Sequence, residues 1–269
     1  MTARRLGLYA ASTVIAAWVL LPLALIALAA LTPREELYRW PRPLWPDRFT
    51  AEGMLFFVHQ ARVLRALWNS VLVAGLTIAL ALGLAAPAAY ALVRYRFRGR
   101  EALQLGILAT KMFPATVLSV PLAVVLIRLN LYDTLFGVAL VHTSLSIPFV
   151  TLIVASVFAG VPYELEEAAL TLGCSRLQAF LRITLPIALP GLAAAATFTF
   201  ILSWNEVFAA TILTLDNRTL PALLIHSVLS EGAPLYFRYA GGLFLVLPAV
   251  VILLLIRRYL LTLWGVTVR

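Results

Sequence analysis

Apolar and polar residues do not alternate along this chain with the short periods of a soluble domain. They come in blocks. Long apolar blocks run over Leu6–Leu31, Leu67–Val93, Ala102–Leu129, Thr134–Ala159, Ile187–Thr214 and Tyr239–Tyr259, and the links between them hold most of the charges. Each block is longer than the roughly 20 residues that cross a bilayer, so the pattern predicts an all-α polytopic membrane protein with six transmembrane helices, tilted or overhanging. Prolines inside the blocks (Pro22, Pro87, Pro114, Pro121, Pro148, Pro190, Pro248) would break soluble helices. In a membrane they are tolerated, because neighbouring helices and Ser/Thr side chains satisfy the freed carbonyls. The first block follows Arg4 and Arg5 but exceeds the apolar core of a secretory signal, and reads as a retained span.

The links set the expected orientation. Arg94-Tyr95-Arg96-Phe97-Arg98-Gly99-Arg100 carries four arginines in seven residues. Short loops rich in arginine stay in the cytoplasm. Six spans then place both termini on that side, with Arg4, Arg5, Arg257 and Arg258. The long 32–66 link falls outside. Within it Trp40-Pro41-Arg42-Pro43-Leu44-Trp45-Pro46 reads as extended, since each proline biases its predecessor away from helix. It suits an interfacial anchor or contact with an external partner.

One polar stretch has its own helical logic. Between Val161 and Pro186 the signals describe a helix–turn–helix. Pro162 suits a first helical position. Glu164, Glu166 and Glu167 sit where negative charge favours the helix dipole. Leu165, Ala168, Ala169 and Leu172, spaced i, i+3, i+4, i+7, form one apolar face, and Glu164, Glu167 and Thr171 form another. Gly173 can end the helix in the left-handed conformation. Ser175 and Gln178 then make a capping box for a second helix, whose apolar face continues through Leu177, Phe180 and Leu181 until Pro186 ends it. Amphipathicity alone fits a hairpin lying on lipid headgroups as well as a docking surface. The acidic first helix disfavours the former, since headgroup-bound helices are usually basic.

Composition narrows the function. Apolar residues make up 62% of the chain and charged residues 12%, far from the balance of a soluble domain. The net charge of +9 lies beside apolar spans and not on one soluble face, which argues against nucleic acid. The single cysteine, Cys174, excludes an internal disulfide and any cysteine-based zinc cluster. No nucleophile–base–orienter set is visible, and no G-x-x-x-x-G-K-[ST] phosphate loop exists. The sequence therefore points to no enzyme and no motor, and to no cofactor or metal bound by the chain itself.

Ionisable groups at membrane depth are functional candidates by default. Lys111, the only lysine, lies about 15 Å into the third block by helix rise. It either snorkels to the cytoplasmic face or lines the translocation cavity, hydrogen-bonding polar solute or pairing with Glu206. Trp204, Asn205 and Glu206 in the fifth block suit sugar chemistry, the ring stacking on C–H faces and the polar groups bonding hydroxyls; interhelical glue is the other reading. His142, Thr143, Ser144 and Ser146 form a polar patch in the fourth block, where a single histidine serves packing or the pathway.

Glu167-Ala168-Ala169, Gly173 and, after nine intervening residues, Ile183-Thr184-Leu185-Pro186 resemble the cytoplasmic coupling loop of bacterial ABC importer permeases. Asn69-Ser70, Tyr95-Arg96-Phe97-Arg98-Gly99, Ile147-Pro148-Phe149, Trp204-Asn205-Glu206 and Arg218-Thr219-Leu220-Pro221 extend the resemblance to the carbohydrate importer permeases of the maltose/trehalose type. The resemblance implies the type I permease fold: a first span and periplasmic loop over 1–66, a five-helix core over 67–259 containing the loop 161–186, and a tail over 260–269. It implies ATPase coupling through Glu164, Glu167, Ala168, Ala169, Gly173, Ile183, Leu185 and Pro186. The implied partners are a second homologous permease, an ATPase homodimer carrying ATP and magnesium, a periplasmic or lipid-anchored solute-binding protein, and the lipid of the bacterial inner membrane. The implied pathway residues are Lys111, His142, Ser144, Trp204, Asn205 and Glu206. Two positions depart from the family: Leu172 stands where an Asp precedes the loop glycine, and the tail ends Trp264-Gly265-Val266-Thr267-Val268-Arg269 in place of a Gly/Lys-rich segment. A permease for a polyol, a glycerol phosphate or an amino acid, and a secondary transporter, remain alternatives; the latter usually carries detectable internal repeats.

Overall fold

The computed structural model describes residues 3–41, 43–230 and 232–263, so the tail 264–269 and Arg42 of the proline-rich segment lie outside the described residues. In chain order the helices are α1 (Ala3–Ala30), α2 (Arg34–Leu37), α3 (Glu52–His59), α4 (Ala61–Arg94), α5 (Arg100–Ala109), α6 (Ala115–Arg128), α7 (Leu135–Ala159), α8 (Tyr163–Thr171), α9 (Arg176–Ala179), α10 (Leu185–Trp204), α11 (Phe208–Leu213), α12 (Leu220–Ser230) and α13 (Leu235–Leu263). A 3₁₀ turn, Thr110–Met112, follows α5, and a π turn, Phe180–Thr184, joins α9 to α10. Among the described residues, five helical segments are long and apolar enough to cross a membrane: Arg5–Ala30, Ala61–Arg94, Leu135–Ala159, Arg176–Trp204 and Leu235–Ile252.

The third expected span, Ala102–Leu129, is not a straight helix. Arg100–Met112 and Ala115–Arg128 meet at a bend of 92°, and count as one span only if the bent pair is taken together. Phe113, with φ −83° and ψ 121°, is extended, as suits a residue before Pro114, whose ring disfavours the helical conformation in its neighbour. Lys111 therefore sits at a bend and not in the middle of a continuous Ala102–Leu129 helix.

The fifth span is also corrected. It does not run over Ile187–Thr214: it starts at Arg176, passes through Pro186 and stops at Trp204, and α11 is a separate helix. Pro186 thus does not end the hairpin's second helix. In an α-helix its ring would meet the Arg182 carbonyl and leave it unpaired, but the π turn just upstream already replaces the i→i−4 pattern there. Asn205 and Glu206 consequently lie in the break between α10 and α11.

The chain divides into two units, residues 1–65 with 223–248 and residues 66–222 with 249–269. In the first, Phe57 of α3 is fully buried against the rings of Phe237 and Phe244 of α13. Most side chains of α1 are exposed and apolar, as expected of a helix facing lipid. In the second, Ala81, Ala85 and Ala89 of α4 meet Val150, Val154 and Phe158 of α7 and Ala188, Leu192 and Ala195 of α10. Small residues matter here because lipid gives no hydrophobic drive between helices, and close backbone packing must hold them together. A Cβ on Gly191 of α10 would lie 2.4 Å from Val157 Cγ1 of α7, so glycine fixes that approach.

The same unit ties its 213–220 segment down through polar residues. Asp133, at φ 56°, accepts the amides of Leu215, Asp216 and Asn217 at 2.8–3.2 Å through Oδ1. Asn69 Nδ2 donates to the Arg218 carbonyl, and the Leu220 amide donates to Ser70 Oγ. The Asn69-Ser70 and Arg218-Thr219-Leu220-Pro221 motifs are thus one structural clasp.

Candidate functional site

The hairpin between Val161 and α10 contains the turn chemistry its sequence predicts. Gly173 has φ +88°, and no atom lies within 4 Å of where its Cβ would be. Ser175 accepts the Gln178 amide while the Gln178 side chain accepts the Ser175 amide, completing the capping box. Helix α8 begins at Tyr163, with Pro162 one position earlier as its cap.

The apolar face is not the buried one. The face that turns inward carries Glu166 and Ala169, while Leu165, Ala168 and Leu172 are exposed, Leu172 at 86%. In the second half Ala179 and Phe180 are buried and Leu177 and Leu181 exposed. A charged residue displaces the leucines because its partners are inside. Arg94 Nε, at the end of α4, donates to Glu166 Oε1 at 2.7 Å, and Arg94 Nη2 donates to the Val161 carbonyl at 2.9 Å. Thr184 Oγ1 in the π turn donates to Glu166 Oε1 at 2.6 Å, and Tyr90 Oη donates to Oε2 at 2.8 Å. The side chains of Arg94 and Glu166 are 9% and 3% exposed. Rings enclose them: Tyr90 lies against Phe180 at 4.6 Å, and the Arg94 guanidinium stands over Tyr163 at 5.4 Å.

Sequence reasoning placed Glu166 only among dipole-favouring charges and missed it as the buried anchor. The available signal was Arg94 closing an apolar block with Tyr90 one turn before it. Of the expected coupling residues, Glu164, Glu167, Ala168, Gly173 and Pro186 are exposed, Ile183 and Leu185 half-buried and Ala169 buried. Leu165, Leu172, Leu177 and Leu181 are exposed on the hairpin, as are Glu164 and Glu167.

A second candidate lies in the same unit. A cavity of about 450 Å³ opens between the 3₁₀ turn after α5, α6, α7 and the end of α10, lined by Lys111, His142, Ser144, Ser146, Ser203 and Glu206 among others. Lys111 Nζ donates to the Leu145 carbonyl, in the turn that Pro148 weakens, and lies 4.8 Å from the centre of the Phe149 ring. His142 is buried; its Nδ1 shares a 2.9 Å hydrogen bond with Ser203 Oγ, and its Nε2 has no partner. Glu206 Oε1 accepts the Ala209 amide at 2.9 Å. Among the described residues no ion pair joins Lys111 to Glu206.

The cavity gathers Lys111, His142, Ser144 and Glu206 of the expected pathway set. It does not take in the other two: Trp204 is buried and stacked on Phe200 at 5.3 Å, and Asn205 Nδ2 donates to the Ile201 carbonyl. Among the described residues no cluster of His, Cys, Asp and Glu could hold a metal ion.

Comparison with known proteins follows the same outline. Residues 54–262 match the family described as the binding-protein-dependent transport system inner membrane component. The inner membrane ABC transporter permease protein YcjP of Escherichia coli is 30% identical over 96% of this chain and 94% of its own. The trehalose transport system permease protein SugB of Mycobacterium tuberculosis is 29% identical over 96% and 95%. A bacterial ABC transporter involved in import of the acidic polysaccharide alginate superposes with a TM-score of 0.79 over 95% of this chain and 96% of that one, at 21% identity.

Proposed function

The chain belongs to the family of binding-protein-dependent transport system inner membrane components, and on that footing we propose that it is one of two membrane subunits of an ATP-driven sugar importer. With a second, homologous permease it forms an alternating-access pathway for a mono-, di- or oligosaccharide brought by a solute-binding protein. ATP and magnesium bind to a separate ATPase pair, and the hairpin 163–186 passes the ATPase movement to the spans. Both termini lie in the cytoplasm, on the side of the 94–100 arginines.

The hairpin carries this reading. Its polar contacts are directed inward, to Arg94, Tyr90 and Thr184, and its leucines outward. Exposed apolar side chains rimmed by polar ones mark an interaction surface. A hairpin fastened to α4 by a buried ion pair, and to the start of the next span by the Thr184 hydrogen bond, transmits displacement as a rigid body, and a rigid element with two positions is what nucleotide binding can bias. Sugar as the solute rests on relatives such as the trehalose permease.

The test is co-purification in mild detergent. Leu172→Glu together with Leu177→Glu should leave membrane insertion intact while the ATPase subunits are lost from the complex, together with solute-stimulated ATP hydrolysis. Retention of the ATPase by that double variant would sink the coupling assignment.

A further inference from the structure

We propose that this subunit itself carries a solute subsite, the cavity bounded by Lys111, His142, Ser144 and Glu206, and that the subsite takes a neutral, hydroxyl-rich ring. The inference rests on the importer reading and adds to it which chain the solute touches and what chemistry is recognised.

The cavity's volume of about 450 Å³ falls within the about 300–1,000 Å³ range of small-molecule sites. Its walls are mainly apolar, with Phe113, Leu118, Leu122 and Leu202, and suit the C–H faces of a sugar. The polar groups remain partly unused. His142 is 1% exposed, yet its Nε2 has no hydrogen-bond partner, an arrangement that buried polar groups rarely keep. Ser144 and Ser146 spend their hydroxyl hydrogens on the carbonyls of Val141 and His142, which leaves each oxygen able to accept. Lys111 spends one ammonium hydrogen on Leu145 and retains two. Glu206 gives Oε1 to the Ala209 amide and keeps Oε2 as an acceptor.

The remaining groups are thus a mixture of donors and acceptors around an apolar wall. Hydroxyl groups both donate and accept, and satisfy such a mixture with one kind of functional group. A carboxylate or phosphate only accepts, and would meet Glu206 as a like charge. One cation and one carboxylate leave no net charge to attract an anion. Both chemical halves of a pyranose find their counterparts here.

The experiment uses the assembled importer in proteoliposomes with its binding protein. A panel of glucose, trehalose, diacetylchitobiose and glucuronate identifies which solute stimulates ATP hydrolysis. Ser144→Cys is introduced with Cys174→Ser, so that a single thiol reports on the cavity, and its modification by N-ethylmaleimide is timed with a non-hydrolysable ATP analogue bound. A stimulating neutral sugar at ten times its half-saturating concentration should slow modification about tenfold, as the free fraction requires. Glu206→Gln and His142→Phe should each raise the half-saturating concentration for uptake about threefold to tenfold, the loss of one hydrogen bond to solute. Stimulation by neutral sugar with no protection and unchanged half-saturation overturns the subsite and leaves the importer reading standing. Stimulation by glucuronate alone overturns the neutral class. Stimulation by none of the four overturns sugar import and the subsite with it.

Discussion

Glu166→Gln removes the charge from the hairpin's buried anchor with little change of shape. Glu166 Oε1 accepts from Arg94 and Thr184, and Oε2 accepts from Tyr90. A glutamine can keep its carbonyl oxygen on Arg94 and Thr184. Its amide then faces Tyr90, whose hydroxyl can turn to accept. The hydrogen bonds are therefore largely recoverable, and the main loss is the countercharge of Arg94. Both side chains are less than a tenth exposed, so solvent screening does not reduce this to the near-zero value of a surface pair. Breaking a buried pair costs about 3–5 kcal/mol, because the survivor is left buried and uncompensated. Arg94 retains the Val161 carbonyl and the Tyr163 ring, which places the cost near the lower end.

About 3 kcal/mol raises the equilibrium for local detachment of the hairpin roughly 100-fold. Amide hydrogen exchange of the importer, read over 163–186, should show that acceleration, while α7 and α10 below Pro190 exchange as in the parent. Coupling should suffer with it: the number of ATP molecules hydrolysed per solute imported should rise. Arg94→Met should behave similarly. The double variant Arg94→Met with Glu166→Leu should recover most of the protection, since replacing both partners by apolar groups leaves no orphaned charge. Parent-like exchange in both single variants, or a double variant worse than either, would refute the assignment of Glu166 as the anchor.

Three further outcomes follow from backbone and packing geometry. Gly173→Ala should destabilise the hairpin turn by about 1–2 kcal/mol through the left-handed backbone alone, since open space surrounds the site, and Gly173→Asn should cost less; faster exchange at residues 170–175 measures both. Gly191→Ala should cost about 1–3 kcal/mol by overpacking, because the new methyl meets both branches of Val157, and Val157→Ala should relieve it; thermal unfolding in detergent reads the pair. Asp133→Ala should leave the amides of residues 215–217 without their acceptor and speed their exchange by an order of magnitude or more, with Asp133→Asn intermediate.

Local chemistry was legible in the sequence where its partners are close along the chain. The capping box joins Ser175 to Gln178, three residues apart, and Gly173 requires only its own backbone freedom. Four of the six spans were legible for a similar reason, as long apolar runs need no knowledge of neighbours. The hairpin's inner face was not, because the helical wheel ranks faces by hydrophobicity and Arg94 lies 72 residues before its partner. Proline was ambiguous for another reason. Pro148 stays within α7 and Pro190 within α10, whereas Pro114 accompanies a sharp bend, and only the packing of surrounding helices decides between those outcomes. The Asn205–Glu206 break went unseen because the apolar block resumes immediately at Val207, which hides the end of α10 from any hydropathy window.

Burying a carboxylate and exposing leucines has a physical advantage over the converse arrangement. An apolar inner face made of Leu165 and Leu172 would hold α8 by area, and area is indifferent to a small rotation or slide. Hydrogen bonds are directional and lose strength steeply when misaligned. Glu166 receives donors from α4 and from the π turn leading into α10, so its two oxygens fix both the rotation and the height of α8. The leucines released from the interior are then free to form the outward surface. A lever must be stiff where it joins the body and adhesive where it meets its driver. In the proposed lever, charge supplies the first property and exposed leucine, Leu172 included, the second.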